Sequence, residues 1–127
     1  ITEDQSRHAY APGKWTMKEV LSHINDTERV FVSRAMWFAR GFEAPLPGFD
    51  QDVAVQYAGA NARSWQSHVD EFAAIRASSL AFFRSVPAEA WLRRGIASEK
   101  PFTVRALAWI TTGHVAHHMG VLRERYI

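Results

Sequence analysis

Apolar residues return every three or four positions along three stretches of the chain, and between those stretches the period is lost. In the first, Met17, Val20, Leu21, Ile24, Phe31, Ala35 and Phe38 keep to one face of a helix. Thr16 stands at its N-cap with Glu19 three residues on, the pair that makes a capping box, and Trp15 is placed to staple onto Val20. Gly41 supplies a C′ stop, so the pattern predicts a helix over about 17–40. A second, over about 61–85, carries Trp65, Val69, Phe72, Ile75, Leu80 and Phe83 on its buried side. Pro87 then permits a short turn, "PAEAWLRR", closed by Gly95. The start signal recurs in "EKPFTVRAL", with Phe102 at N′, Thr103 as N-cap and Leu107 at N4, and predicts a last helix over about 103–125. Ahead of them all, "ITEDQSRHAYAPG" is polar and ends on a Pro-Gly stop, which reads as an approach loop with a turn of helix at its start.

Residues 41–60 hold two Pro and three Gly and show no sustained period. A connection that long suggests a crossover returning the chain to the same end of a bundle, which makes the flanking helices parallel. The first helix is apolar on a second side as well, with Val30 and Trp37 well away from the main stripe. Such a helix packs between two neighbours, so further cover is expected from a helix preceding Ile1 or from a second subunit. The expected fold is all-α, a single helical domain over residues 1–127.

Composition narrows the function. With 127 residues, 47% apolar and 13% aromatic, the chain builds one real core, and no apolar run is long enough to cross a bilayer. The net charge is only +2, and Lys and Arg are scattered among the acidic residues without a stripe that could track phosphates, which argues against nucleic acid. There is no secretory signal, and a cytoplasmic location is the expectation. With no cysteine, any metal site has to be built from His, Asp and Glu.

"TTGHVAHHMG" supplies the candidates, three histidines within five positions. At about 100° per residue, Val104, Leu107, Ala108, Thr111, Val115, Met119 and Leu122 define the inward stripe of the last helix, and His118 falls inside it. His114 lies one turn earlier, roughly 40° away, while His117 points roughly 100° from His118, toward the edge or solvent. Two imidazoles at i and i+4 on one face can reach a single ion, and His117 is the substitute should His118 not serve. A third ligand has to come from elsewhere, and His23 on the first helix is the candidate. His23 is about six residues from the start of its helix and His118 about seven from the end of the other, near 10 Å in each case, so antiparallel helices would bring all three to one level. His8 and His68 read as non-ligands, Asp26 as solvated surface, and the aromatic stripe of Trp15, Phe31, Phe38, Trp65 and Phe72 as core. Glu28 falls in the apolar stripe, where a carboxylate is costly unless it is partnered. It either orients a ligand imidazole or pairs with an Arg such as Arg34, Arg123 or Arg125.

"YAPGKWTMKEVLSHINDTERVFVSRAMWFARG", "PLPGFD" and "RALAWITTGHVAHHMGVLRERY" resemble the DinB/YfiT-like superfamily of metal-dependent enzymes, most specifically in "PGKWT", "LSHINDTE" and "GHVAHH". The likeness covers nearly the whole chain. It implies a four-helix bundle in up-down-down-up order, with the helices of His23 and His118 antiparallel and the family's first helix either upstream of Ile1 or missing. It implies His23, His114 and His118 as the ligands of a divalent metal, zinc or nickel; Glu28, from its own place in the stripe, is the candidate catalytic acid, acting behind the ligands. Some relatives transfer groups using low-molecular-weight thiols such as bacillithiol or mycothiol, and one branch isomerises maleylpyruvate with mycothiol. The resemblance therefore implies a metal- and thiol-dependent S-transferase acting on a small-molecule substrate. A three-His site with an open position can hold a thiol sulfur as thiolate near neutral pH, a nucleophile that a cysteine-free chain does not supply itself. The same position would activate water in a hydrolase. A metal-stabilised stress-response or binding protein without turnover, and a metal-free helical dimerisation module, are the readings from other classes. A homodimer is expected from the doubly apolar first helix and from family habit.

Overall fold

The computed structural model describes residues 1–127. Four α-helices carry the fold: α1 (Met17–Ala39), α2 (Gln51–Tyr57), α3 (Trp65–Ser85) and α4 (Val104–Arg125). Ahead of α4 lies an antiparallel hairpin of β1 (Arg94–Ala97) and β2 (Lys100–Thr103), with Arg94 opposite Thr103 and Ala97 opposite Lys100. Single 3-10 turns occupy Gln5–Arg7, Ala60–Ala62 and Ala88–Ala90. No helix is long and apolar enough to cross a membrane.

The caps read from the sequence are present. The Thr16 hydroxyl accepts from the Glu19 amide and the Glu19 carboxylate accepts from the Thr16 amide, closing the box that starts α1. Thr103 caps α4 through the Ala106 amide at 3.0 Å. Gly41 takes φ +81° just beyond α1, a left-handed turn that an L side chain would strain.

Two expectations are corrected. The 41–60 connection is interrupted by α2, whose start is fixed by Asp50 accepting from the Asp52 and Val53 amides. The hairpin replaces what reads in sequence as a tail of turn leading into a helix. Its strands are four residues each, too short for alternation to register, and its turn at Ser98 and Glu99 adopts positive φ without the Gly or Asn that usually announces it. On the second apolar side of α1, Trp37 stacks on Phe42 at 4.1 Å between ring centres and donates to the Ala44 carbonyl at 3.0 Å.

α1 is the central rod. It packs against both α3 and α4, which hardly touch each other. α1 and α3 run parallel, as partners rise together along both: Lys18 with the Arg63 carbonyl, Asn25 with the His68 carbonyl, Glu28 with Arg76. α4 runs the other way, with Tyr126 donating to the Trp15 carbonyl and Leu107 packed beside Ala35 and Phe38. Two apolar clusters result. One gathers Ala35, Phe38, Val104 and Leu107 with the hairpin's Ala97, the other Met17, Val20, Ile24 and Leu122. Between them, α1 and α4 face each other through a polar interval that contains Thr27, Glu28, Thr111 and His114.

Because α3 has α1 as its one close helical neighbour, Leu80 is 44% exposed where the stripe predicted burial. Between α3 and α4 runs an apolar groove of about 250 Å³, walled by Leu21, Ile24, Trp65, Phe72, Val115 and Met119. Lys18 is fully buried, its ammonium held by Glu3 and by the Arg63 carbonyl, and Glu3 also accepts from the Trp65 amide at 2.9 Å. That knot ties the N-terminal segment to the start of α3.

The hairpin sits hard on α1. A Cβ added at Gly95 would stand 2.0 Å from the ring of Phe38, which is 1% exposed and has no room to retreat. Gly95→Ala is therefore expected to cost about 1–3 kcal/mol, read as a lower melting temperature with the helical circular dichroism retained.

Candidate metal centre

In the polar interval, His23 of α1 meets α4, where His114 and His118 project one turn apart. His114 Nε2 lies 3.0 Å from His23 Nε2 and 3.1 Å from His118 Nε2. One ring nitrogen from each of the three falls within 4.8 Å of the others, and no fourth His, Cys, Asp or Glu joins the group. The three residues that the sequence nominated are thus brought together.

The donor set fits a divalent cation. An imidazole nitrogen carries either one in-plane proton or one lone pair. His114 Nε2 can therefore complete one of its two close contacts as a hydrogen bond, but not both. Two nitrogens bound at about 2.0–2.1 Å to one tetrahedral zinc stand roughly 3.3–3.4 Å apart, within a few tenths of the separations seen. Three protein ligands leave tetrahedral coordination incomplete, the arrangement of catalytic rather than structural zinc.

The surroundings keep these nitrogens neutral. Burial, then the neighbouring His114 and His118, push the His23 imidazole down from its ordinary value to about 4. His114 is also pushed to about 4, chiefly by burial and then by His118 and His117, with Glu28 pulling weakly the other way. Burial, with His117 beside it, lowers His118. At neutral pH all three offer lone pairs. In the unfolded chain the same groups take up protons near pH 6.5, so between that value and about 4 the unfolded state binds more protons than the folded one. Chelator-treated protein is accordingly expected to hold its full stability above about pH 6.5 and to lose it progressively toward pH 4, as denaturant midpoints across that range would show.

Several neighbours were not legible in advance. Thr27 Oγ1 lies 3.2 Å from His23 Nδ1, and with the proton on Nδ1 the ring donates there and leaves its Nε2 lone pair free. The Trp15 ring packs 5.0 Å from that of His23, and Phe31 stands edge-on to His114 at 5.6 Å. The i, i+4 spacing of His23 and Thr27 was a usable signal. The aromatic stripe that holds Trp15 signals core and nothing more.

Glu28 is 2% exposed and meets neither Arg34, Arg123 nor Arg125. Its partner is Arg76 on α3, whose Nε and Nη2 donate to the two carboxylate oxygens at 2.8 Å each. Arg34 instead donates to the Pro47 carbonyl and the Ser98 hydroxyl. Asp26, expected in solvent, is half-buried 3.5 Å from Arg29. The remaining histidines lie outside the three-histidine cluster: His117 is exposed, His8 is exposed against Tyr126, and buried His68 donates from Nε2 to the Ala60 carbonyl at 3.0 Å.

Solvent reaches the triad from two sides. His118 lines a pocket of about 470 Å³. His23 and His114 line a separate one of about 180 Å³, together with Phe31, Arg34, Gln51 and Ser98.

No curated protein matches the chain. Among solved structures it is similar in fold to YfiT from Bacillus subtilis, a probable metal-dependent hydrolase with an unusual four-helix bundle topology. That match has a TM-score of 0.73 at 16% identity and covers 98% of this chain and 74% of the other. The sequence profile of the DinB superfamily matches residues 1–122, and with the bundle and its three-histidine cluster described, the chain belongs to the DinB superfamily.

Proposed function

We propose that the protein is a divalent-metal-dependent enzyme, with zinc or nickel held by His23, His114 and His118, that transfers a group between a low-molecular-weight thiol and a small molecule. The observation that carries the metal is the pair of contacts at His114 Nε2, 3.0 and 3.1 Å, which hydrogen bonding alone leaves half satisfied. A divalent cation bound there supplies Lewis acidity, lowering the pKa of a thiol or a water molecule presented to it.

The chain's own residues do the rest. Thr27 holds the His23 ring and its tautomer, and Trp15 and Phe31 pack against the His23 and His114 rings. Glu28, locked to Arg76, anchors α1 on α3 and adds a negative charge that His114 feels. Transfer is favoured over hydrolysis by the two separate pockets against the triad, since transfer needs two organic reactants and hydrolysis one. The likeness to YfiT favours the second reading, a hydrolase. A cytoplasmic setting, where such thiols stay reduced, and a homodimer belong to the same proposal.

The test is product formation by zinc- or nickel-loaded protein given bacillithiol or mycothiol and a chromogenic alkylating electrophile. Thiol-dependent turnover is expected in wild type, falling by about 100-fold or more in His118→Ala as activation by the metal is lost. Turnover of ester or amide substrates without thiol would replace transfer by hydrolysis. Retained metal without turnover on either panel would leave a binding protein.

A further inference from the structure

The larger pocket beside His118 has a composition of its own. Its walls include Tyr10, Lys14, Trp15, Asp52, Arg125 and Tyr126. About 470 Å³ is the size of a metabolite site. We infer that this pocket binds a small organic acid, its carboxylate held by Lys14 and Arg125 and its apolar body laid against Trp15 and Tyr126.

Charge points to the carboxylate. Every ion pair in the molecule uses Arg7, Lys18, Arg29, Arg63 or Arg76, so Lys14 and Arg125 face the pocket without a carboxylate partner. Against these two permanent cations stands one acid, Asp52. The surplus of one positive charge suits a monoanion better than a doubly charged phosphate.

The walls are built beforehand. The Arg125 guanidinium lies over the Tyr10 ring at 5.3 Å, with Nη1 3.4 Å from the Tyr10 hydroxyl. Tyr10 stands edge-on to Tyr126 at 5.1 Å, and Tyr126 donates to the Trp15 carbonyl at 2.7 Å. This aromatic wall is ordered before any ligand arrives, which reduces the entropy lost on binding. Trp15 carries it on to the metal centre, because the same ring packs against His23. An acid anchored at Lys14 and Arg125 would extend toward His118. Calling that acid a substrate rests on the metal-dependent reading above; its binding does not need the cation.

The probes are phenylacetate and its neutral amide, phenylacetamide. Each is titrated into metal-loaded and chelator-treated protein and followed by the amide and indole signals of Lys14 and Trp15. The acid is expected to bind about tenfold or more tightly than the amide in both preparations, as a charge-assisted hydrogen bond gives. The Lys14→Met/Arg125→Met double variant is expected to lose that preference, and high salt to erode it in wild type. Equal binding of acid and amide would overturn the inference, as would a preference that survives the double substitution or added salt. A preference seen only with metal present would overturn it too, since the acid would then sit on the cation. Preference in a protein that takes up no metal would sink the metal reading and leave the acid site standing.

Discussion

His114→Ala is expected to come through purification with metal at background, where the wild-type chain carries about one ion. Its Nε2 is the nitrogen that approaches both of the others, so its removal leaves His23 and His118 as two ligands on opposed helices. Elemental analysis without added salts reads the result. Thr27→Val removes only the partner of His23 Nδ1 and is expected to weaken metal affinity by about 10–100-fold, the usual cost of an orienting contact. His117→Ala, exposed and outside the group, is expected to keep its metal. Equal metal content in His114→Ala and wild type would remove that residue as a ligand and, with it, the enzymatic proposal.

The largest expected loss of stability comes from Arg76→Met. The pair it forms with Glu28 is unevenly buried: the carboxylate is 2% exposed while the Arg76 side chain is 28% exposed. Removing the arginine strands a charge with no route to water, at a cost of about 3–5 kcal/mol. Removing the acid, as in Glu28→Gln, leaves a guanidinium that still reaches solvent, and the loss is expected to be smaller. Urea midpoints of the two variants should show that order, and Glu28→Leu/Arg76→Met should recover most of the deficit by closing the site with apolar volume. A loss under about 1 kcal/mol in Arg76→Met would mean that the pair behaves as a surface ion pair.

What could be read from the sequence was what neighbouring residues decide among themselves. The start of α1 lay in Thr16 and Glu19, its end in Gly41, and the start of α4 in Thr103, because caps are contacts between residues three or four apart. The three-histidine cluster was readable in part for the same reason. His114 and His118 are a local pair, and only His23 required an assumption about helix direction, which the structure bears out. The partner of Glu28 had no such signal. Arg76 is 48 residues away, and its choice depends on how α3 is phased against α1. Burial of α3 was overestimated at Leu80, since periodicity records an apolar face and says nothing of how many neighbours cover it. On the second face of α1, Trp37 meets Phe42 and Ala44 of an irregular segment, which has no period to announce the contact.

All three imidazoles stand on α1 and α4, and none on α3. An ion there would act as a rivet through two rods of a three-rod frame, leaving the third secured by its seam with α1 and by the Glu3 tie at its start. Its protection should be lopsided: amide hydrogens of α1 and α4 would exchange far more slowly once the rivet is in, while those of α3 would keep much of their own opening rate. In that frame the cation sets the order in which the parts come loose, with α3 the first to leave.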